Sequence, residues 1–259
     1  MSELLDKSKY GPSAIVTGAS SGIGNSFAKL LAAEGFDLLL PARRIDHLTE
    51  LAKDLQSAYG VSVTPLKVDL NNISAVGTIF DAAANMDVGL LINNAGFRDA
   101  GAYQDIDPGR AASMIDVNDK LPVLLTHRMI PRLLARGKGG ILFTGSIEAN
   151  MGFPLSCVYA ATKAFTRSLG EGLWGELEGH NIDVLVIEPG STDTENYARQ
   201  GLDASGNDAV WHPDDVARAG LENIANGPIL GIGDASEREA ILGMAAMPRK
   251  VALKILSGG

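Results

Sequence analysis

The chain has 259 residues, 46% of them hydrophobic, enough to bury a sizeable core in one large α/β unit or two small ones. Its 22 basic and 31 acidic residues leave a formal charge of −9, so phosphodiester backbones and anionic lipid are repelled, and neither nucleic acid nor a membrane is an expected partner. Cys157 is the only cysteine, which excludes an internal disulfide and a thiolate metal cluster.

Residues 1–10 carry Glu3, Asp6, Lys7 and Lys9 and lack the apolar stretch of a signal peptide, and the longest apolar runs, 38–40 and 184–187, are too short to cross a bilayer. A cytoplasmic location is expected. Short apolar runs alternate with amphipathic stretches from there on. Strands are expected at 13–17, 37–41, 61–68, 88–92, 140–144 and 183–187, with a last one at 228–232. Helices are expected at 23–34, 46–59, 72–84, 108–136, 158–178 and 213–226. Pro213 suits a first turn, and Asp214 and Asp215 suit the positive end of the last of these helices. Strands separated by whole helices cannot pair as hairpins, so a parallel sheet follows. No linker, charge block or repeat interrupts the alternation, which favours one domain over 1–259. The polar, glycine-containing stretch at about 190–212 reads as a substrate loop. Residues 249–256 alternate basic and apolar side chains and read as a surface helix, with an interface helix as the alternative.

The segment from Thr17 to Gly24 (TGASSGIG) lies between the first strand and the first helix. Gly18, Gly22 and Gly24 permit a tight turn, and the backbone N–H groups of Ser20, Ser21 and Ile23 reach a helix N-terminus suited to a pyrophosphate. Gly18 to Gly22 also fits the G-x-S-x-G elbow of a serine hydrolase with Ser20 as nucleophile. That elbow normally follows several strands rather than the first, and it does not need Gly24.

Further along, Asn93-Asn94-Ala95-Gly96 follows the fourth strand and Asn118 lies in the next helical stretch. Ser146 comes after the fifth strand, Tyr159-Ala160-Ala161-Thr162-Lys163 opens the long helix, and Pro189-Gly190 closes the sixth strand. In order and spacing this set, spanning about 13–195, resembles the short-chain dehydrogenase/reductase family. The resemblance implies a single Rossmann-type doubly wound α/β domain with a seven-stranded parallel sheet in the order 3-2-1-4-5-6-7. It also implies a homodimer or homotetramer, and an oxidoreductase passing hydride between a nicotinamide cofactor and a carbonyl/alcohol pair.

Tyr159 and Lys163 are one helical turn apart and share a face. An ammonium beside a phenol favours the phenolate, so Tyr159 is expected to become acidic enough to serve as proton donor and acceptor. Ser146 is expected to hold the substrate oxygen. By resemblance, Lys163 also binds the nicotinamide ribose, and Asn118 orients a water in a proton relay. A non-catalytic dinucleotide sensor, the third reading, has no need of Tyr159 and Lys163.

The cofactor reading rests on the end of the second strand, Pro41-Ala42-Arg43-Arg44. Ala42 stands where an NAD-preferring protein has an acid, and Arg43 can meet a 2′-phosphate bidentately with Arg44 beside it as a further cofactor contact, so NADP(H) is expected over NAD(H). Two arginines merely solvated at a helix start are the bland alternative. Asp37 starts its strand and is on the wrong edge. By resemblance, Asp69 and Leu70 lie beside the adenine. Asn93, Ala95 and Gly96 line the adenosine ribose side, and Pro189, Gly190, Thr192 and Thr194 flank the nicotinamide. The pocket walls are expected from Phe97, Arg98, residues 147–153 and the loop after Pro189, with Met151, Phe153 and Tyr197 favouring a hydrophobic carbonyl substrate. Glu148 either binds a substrate hydroxyl or amine or faces solvent. Cys157 is expected to be a small packing residue. The scattered histidines have no metal-ligand spacing, and no metal is expected.

Overall fold

A computed structural model describes residues 4–198, 201 and 203–258. Residues 1–3 and 259 lie outside the described residues, as do Arg199, Gln200 and Leu202 of the expected substrate loop. The first half runs α1 (Lys7–Tyr10), β1 (Ser13–Val16), α2 (Gly22–Ala33), β2 (Asp37–Ala42), α3 (Ile45–Tyr59), β3 (Val63–Lys67), α4 (Ser74–Ala82) and β4 (Val88–Asn93). The second half runs α5 (Pro108–Ile115), α6 (Leu121–Arg136), β5 (Gly139–Thr144), α7 (Cys157–Leu177) and β6 (Ile182–Pro189). It continues with α8 (Glu195–Ala198), α9 (Pro213–Glu222), β7 (Ile229–Ile232), α10 (Ala235–Ala246) and α11 (Arg249–Leu256).

Among the described residues the seven strands form one sheet in the order β3-β2-β1-β4-β5-β6-β7, every neighbouring pair parallel. Alternation along each strand sends successive side chains to opposite faces. Ala14, Val16, Leu38, Leu40, Leu90, Ile92 and Leu142 pack with Phe27 and Leu31 of α2 and with Leu48 of α3. Ile15, Leu39, Leu91, Ile141, Phe143, Val184 and Val186 pack on the other face with Ile79 of α4 and with Leu125 and Met129 of α6. Both faces are thus covered by helices, as an all-parallel sheet requires.

The expected helix over 108–136 is interrupted by a π-helical turn at Asp116–Lys120, which carries Asn118. Among the described residues three helices were not expected: α1, α10 and the short α8, which falls in the expected substrate loop. The four-residue α1 is too short for a periodic signal, and is capped by Asp6 accepting from the N–H groups of Ser8 and Lys9. In α10 only Ile241 is buried, so it lacks an apolar stripe. Asp37 behaves as its strand position dictates: at the amino edge of the sheet its carboxylate accepts from the Ser62 N–H at 2.7 Å.

Candidate active site

A cleft of about 630 Å³ opens at the carboxyl edge of the sheet, bounded by Ala42 of β2, Thr144 of β5 and Pro189 of β6. Three strand ends are tied together beneath it. Thr17 Oγ1 accepts from the N–H groups of Asn94 and Ala95, each at 3.0 Å. Asn94 Nδ2 donates to the Thr17 carbonyl at 3.1 Å, and Thr144 Oγ1 donates to Asn94 Oδ1 at 3.2 Å.

Above these ties the glycine turn leads into α2. Gly18 has φ +72°, and a Cβ there would come within 2.9 Å of Ala95 Cα. Ser21 is the N-cap of α2 but makes no side-chain cap bond, so the first N–H donors of the helix are not consumed by their own cap. Gly18, Ser20, Ser21, Gly22 and Ile23 all line the cleft. This is a donor-rich, closely approachable surface of the kind a dinucleotide pyrophosphate needs. Gly24 does not line it. A Cβ at Gly24 would meet Asn94 Nδ2 and the Gly18 carbonyl oxygen, both at 2.4 Å, so this glycine is a packing residue behind the turn. Asn93 is a second correction. It is the last residue of β4, its side chain is buried, and its Nδ2 donates to Thr126 Oγ1 of α6. Strand alternation turns Asn93 to the helix face and leaves Asn94, Ala95 and Gly96 at the cleft.

Arg43 and Arg44 both line the cleft, but Arg44 is the one built into it. Its Nη2 donates to Ser21 Oγ at 2.6 Å and to Ser20 Oγ at 3.1 Å, and its Nη1 makes two bonds to the Glu195 carboxylate of α8 at 2.8 and 2.9 Å. Ser20 therefore faces a guanidinium, which cannot take its proton, and among the described residues its hydroxyl is bonded to no general base. Asp69 and Leu70 line the same end, with Asp69 Oδ1 accepting from the side chain and N–H of Asn71.

At the other end stand Ser146, Tyr159 and Lys163. Ser146 follows β5 and caps the 3₁₀ turn Ile147–Asn150, its Oγ accepting from the Glu148 N–H at 3.2 Å. Its hydroxyl lies on the phenol side, where it favours ionisation of Tyr159. Tyr159 and Lys163 lie in the first two turns of α7. Lys163 Nζ donates to the Thr144 carbonyl at 2.7 Å and sits 5.5 Å from the centre of the Tyr159 ring.

Contrary to expectation, the phenol is not acidified here. Burial, followed by the charge of Glu148, pushes Tyr159 up to about 12, against the Ser146 hydrogen bond and the Arg98 charge. Burial likewise brings Lys163 down to about 8, opposed by the charges of Asp119 and Glu148. For both groups desolvation is the largest influence and outweighs the charges and hydrogen bond that oppose it.

Asn118 is buried behind the cleft wall. Its Oδ1 accepts from the Phe97 N–H at 3.1 Å, and its Nδ2 donates to the Phe97 carbonyl at 3.0 Å and to Thr162 Oγ1 of α7 at 3.1 Å. The side chain is thus spent on joining the segment after β4 to the Tyr159 helix.

Phe97, Arg98, Ile147, Glu148, Phe153 and Tyr197 line the substrate side. Met151 does not; it is buried away from the cleft. Cys157 is exposed rather than packed, because it occupies the first, outward-facing position of α7. Pro189, Gly190, Thr192 and Thr194 complete the wall, with Thr192 Oγ1 donating to the Gly190 carbonyl at 3.0 Å.

Glu237 and Ile241 of α10 also reach the cleft and were not foreseen. Glu237 accepts from Ser191 N at 3.1 Å and from Ser191 Oγ at 2.9 Å, holding the strand end beside Gly190. The pattern Asp234-Ala-Ser-Glu237 is a helix-start signature, and Asp234 does cap the helix.

With this geometry in view, the model of the short chain dehydrogenase family matches residues 12–204, about three quarters of the chain. The chain belongs to that family. Its relatives include a 7beta-hydroxysteroid dehydrogenase of Clostridium sardiniense, 31% identical over 84% of each chain. A sulfoacetaldehyde reductase 2 of Chromohalobacter salexigens is 36% identical over 76% of this chain and 79% of the relative. Among solved structures, a short-chain dehydrogenase from Sphingobium yanoikuyae in complex with NADPH superposes with a TM-score of 0.80 at 29% identity, covering 92% of this chain and 97% of that one. A 7beta-hydroxysteroid dehydrogenase structure superposes with a TM-score of 0.88 over 97% and 98% at 23% identity, which speaks to the fold. This short-chain dehydrogenase is accordingly an oxidoreductase of the hydride-transferring kind. No helix among its described residues is long and apolar enough to cross a membrane.

Proposed function

We propose that this protein is an NADP(H)-dependent reductase of small carbonyl compounds, with Tyr159 as the acid/base, Ser146 as the anchor of the substrate oxygen and Lys163 as the ion that supports both. The observation that carries the reading is the convergence of these three side chains on the cleft that also holds the glycine turn and Arg44. The bound nicotinamide supplies or accepts the hydride. Ser146 holds the reacting oxygen in hydrogen-bond range, and Tyr159 delivers its phenolic proton to that oxygen, or withdraws it in the oxidising direction. Lys163, fixed by Thr144, keeps positive charge beside the phenol as it loses its proton. Asn118 positions α7 against the Phe97 segment.

Preference for NADP(H) is supported by the two arginines at the end of β2 and by Ala42 in place of an acid. Arg44 is the better placed, since its fork already lies on the glycine turn. Asp69 and Leu70 are assigned to the adenine, Ala95 and Gly96 to the adenosine ribose side, and Pro189, Gly190, Thr192 and Thr194 to the nicotinamide. We read the chain as one domain with a substrate loop at about 190–212, acting in the cytoplasm as a homodimer or homotetramer. The named relatives act on a hydroxysteroid and on sulfoacetaldehyde, compounds too unlike to transfer a substrate by name.

The test is NADPH and NADH consumption with an aldehyde and ketone panel, with the alcohol product identified. Absence of alcohol formation across the panel would overturn the reading.

A further inference from the structure

Arg44 follows β2, and its guanidinium is held from two sides. Nε and Nη2 donate to Ser20 Oγ at 3.3 and 3.1 Å, and Nη2 also donates to Ser21 Oγ at 2.6 Å. Nη1 donates to both oxygens of the Glu195 carboxylate at 2.8 and 2.9 Å, so every N–H of the guanidinium is engaged. The neighbour of Glu195 is seated on the glycine turn as well: a Cβ on Gly22 would lie 3.1 Å from Thr194 Cγ2. Arg44, Ser20, Ser21, Thr194 and Glu195 all line the cleft, and the ion pair is open to solvent, with 37% and 42% of its two side chains exposed.

The two kinds of partner differ in what they leave for a ligand. Each serine hydroxyl accepts from Arg44 and keeps its own proton, which it can donate to a phosphate oxygen. The carboxylate offers only acceptors and a negative charge, so on the same guanidinium it opposes a phosphate. β2 ends in Ala42 and has no acid of its own there. An acid stands beside the arginine all the same, brought by α8 from 151 residues away in sequence.

We propose that Glu195 competes with the 2′-phosphate of NADP(H) for the Arg44 guanidinium, and so sets how far the protein favours NADP(H) over NAD(H). This rests on the NADP(H) reading above, which gives Arg44 to that phosphate. Arg44 has to leave the carboxylate to meet the phosphate, and a cofactor without the phosphate makes no such demand. The cost is modest, because an exposed ion pair is screened by water and salt. Glu195 therefore narrows the preference and does not reverse it.

The experiment measures calorimetric affinities for adenosine 2′,5′-bisphosphate and adenosine 5′-monophosphate, which differ by the 2′-phosphate alone, at one low ionic strength. The quantity read is the ratio of the two affinities, which cancels any general change in the adenosine site. Glu195→Gln, which keeps the shape and removes the charge, is expected to raise the ratio in favour of the bisphosphate by about fivefold, the upper worth of an exposed ion pair. Glu195→Ala is expected to act in the same direction, and it decides the matter if the glutamine variant does not fold. In an Arg44→Ala background the Glu195→Gln change is expected to move the ratio by less than about twofold, because the competition needs both partners. A ratio that stays level or falls on removing Glu195, a gain shared equally by both nucleotides, or a gain that persists without Arg44 would overturn the proposal. So would a failure of both wild type and the Glu195 variants to bind the bisphosphate. A wild-type ratio near one speaks against the NADP(H) reading, whereas the competition is judged by the change in that ratio on Glu195→Gln, so the two can fail separately.

Discussion

Lys163 hangs from the last residue of β5: its Nζ donates to the Thr144 carbonyl at 2.7 Å, joining the sheet edge to the second turn of α7. The contact gives a buried ammonium at the cleft wall one fixed partner. Position, rather than an acidified phenol, is therefore what the folded chain contributes before any ligand arrives.

Replacing Tyr159 by Phe removes the proton and leaves the ring, its cation contacts and the helix in place. Turnover is expected to fall about 10²- to 10⁴-fold, the usual worth of a positioned general acid. NADPH affinity and the thermal midpoint should stay near wild type, as checked by cofactor fluorescence and calorimetry. A variant retaining most of its rate would remove Tyr159 from the chemistry.

Arg44→Ala is expected to weaken NADPH binding roughly tenfold to hundredfold, and NADH much less, on the scale of charge-assisted bonds to a phosphate. Arg43→Ala should act in the same direction but more weakly, since Arg44 is the arginine held on Ser20 and Ser21. Dissociation constants for both cofactors decide it; equal loss for NADPH and NADH would contradict the phosphate assignment.

Gly24→Ala tests the packing role of a motif glycine. Its Cβ would fall 2.4 Å from the Gly18 carbonyl oxygen, a backbone atom that cannot swing aside. A loss of about 1–3 kcal/mol is expected from overpacking, read by denaturant unfolding, together with weaker cofactor binding as the turn is displaced.

Asp119 makes stability depend on pH. Burial raises its carboxyl from the ordinary 3.8 to about 7, with Lys163 pulling the other way, and its Oδ1 is buried without a partner among the described residues. The folded chain then keeps a proton that the unfolded chain has released between those values. The resulting contribution is full below pH 3.8 and is lost as pH rises through about 7. Asp119→Asn, which cannot ionise, should match wild type in acid and melt higher above pH 7, by about 2–4 °C for each kcal/mol recovered. Parallel melting curves from pH 4 to pH 8.5 would show the effect, and a constant gap across that range would rule it out.

Sheet, crossovers and the cleft's end of the sheet were legible because periodicity and glycine spacing are local signals. The strand at 88–92, a short apolar run, was read within a residue of β4. Which asparagine of the pair faces the cleft was not legible. Asn93 and Asn94 differ only in which side of a strand they leave, and the end of the ladder decides that. α10 escaped notice for a related reason: its face toward the cleft is two side chains, Glu237 and Ile241, too few to mark a period.

By itself, the order of residues determined the parallel α/β architecture, since strand alternation, helical spacing and turn glycines act between neighbours along the chain, and its resemblance to a known family singled out Ser146, Tyr159 and Lys163. Only the tertiary structure decided that Arg44 rather than Arg43 lies on the glycine turn, that Glu148 pairs with Arg98, and that burial holds the phenol's proton tightly. Those outcomes depend on distances and solvent exclusion between segments far apart in sequence, where Coulomb and desolvation energies change steeply over a few ångströms.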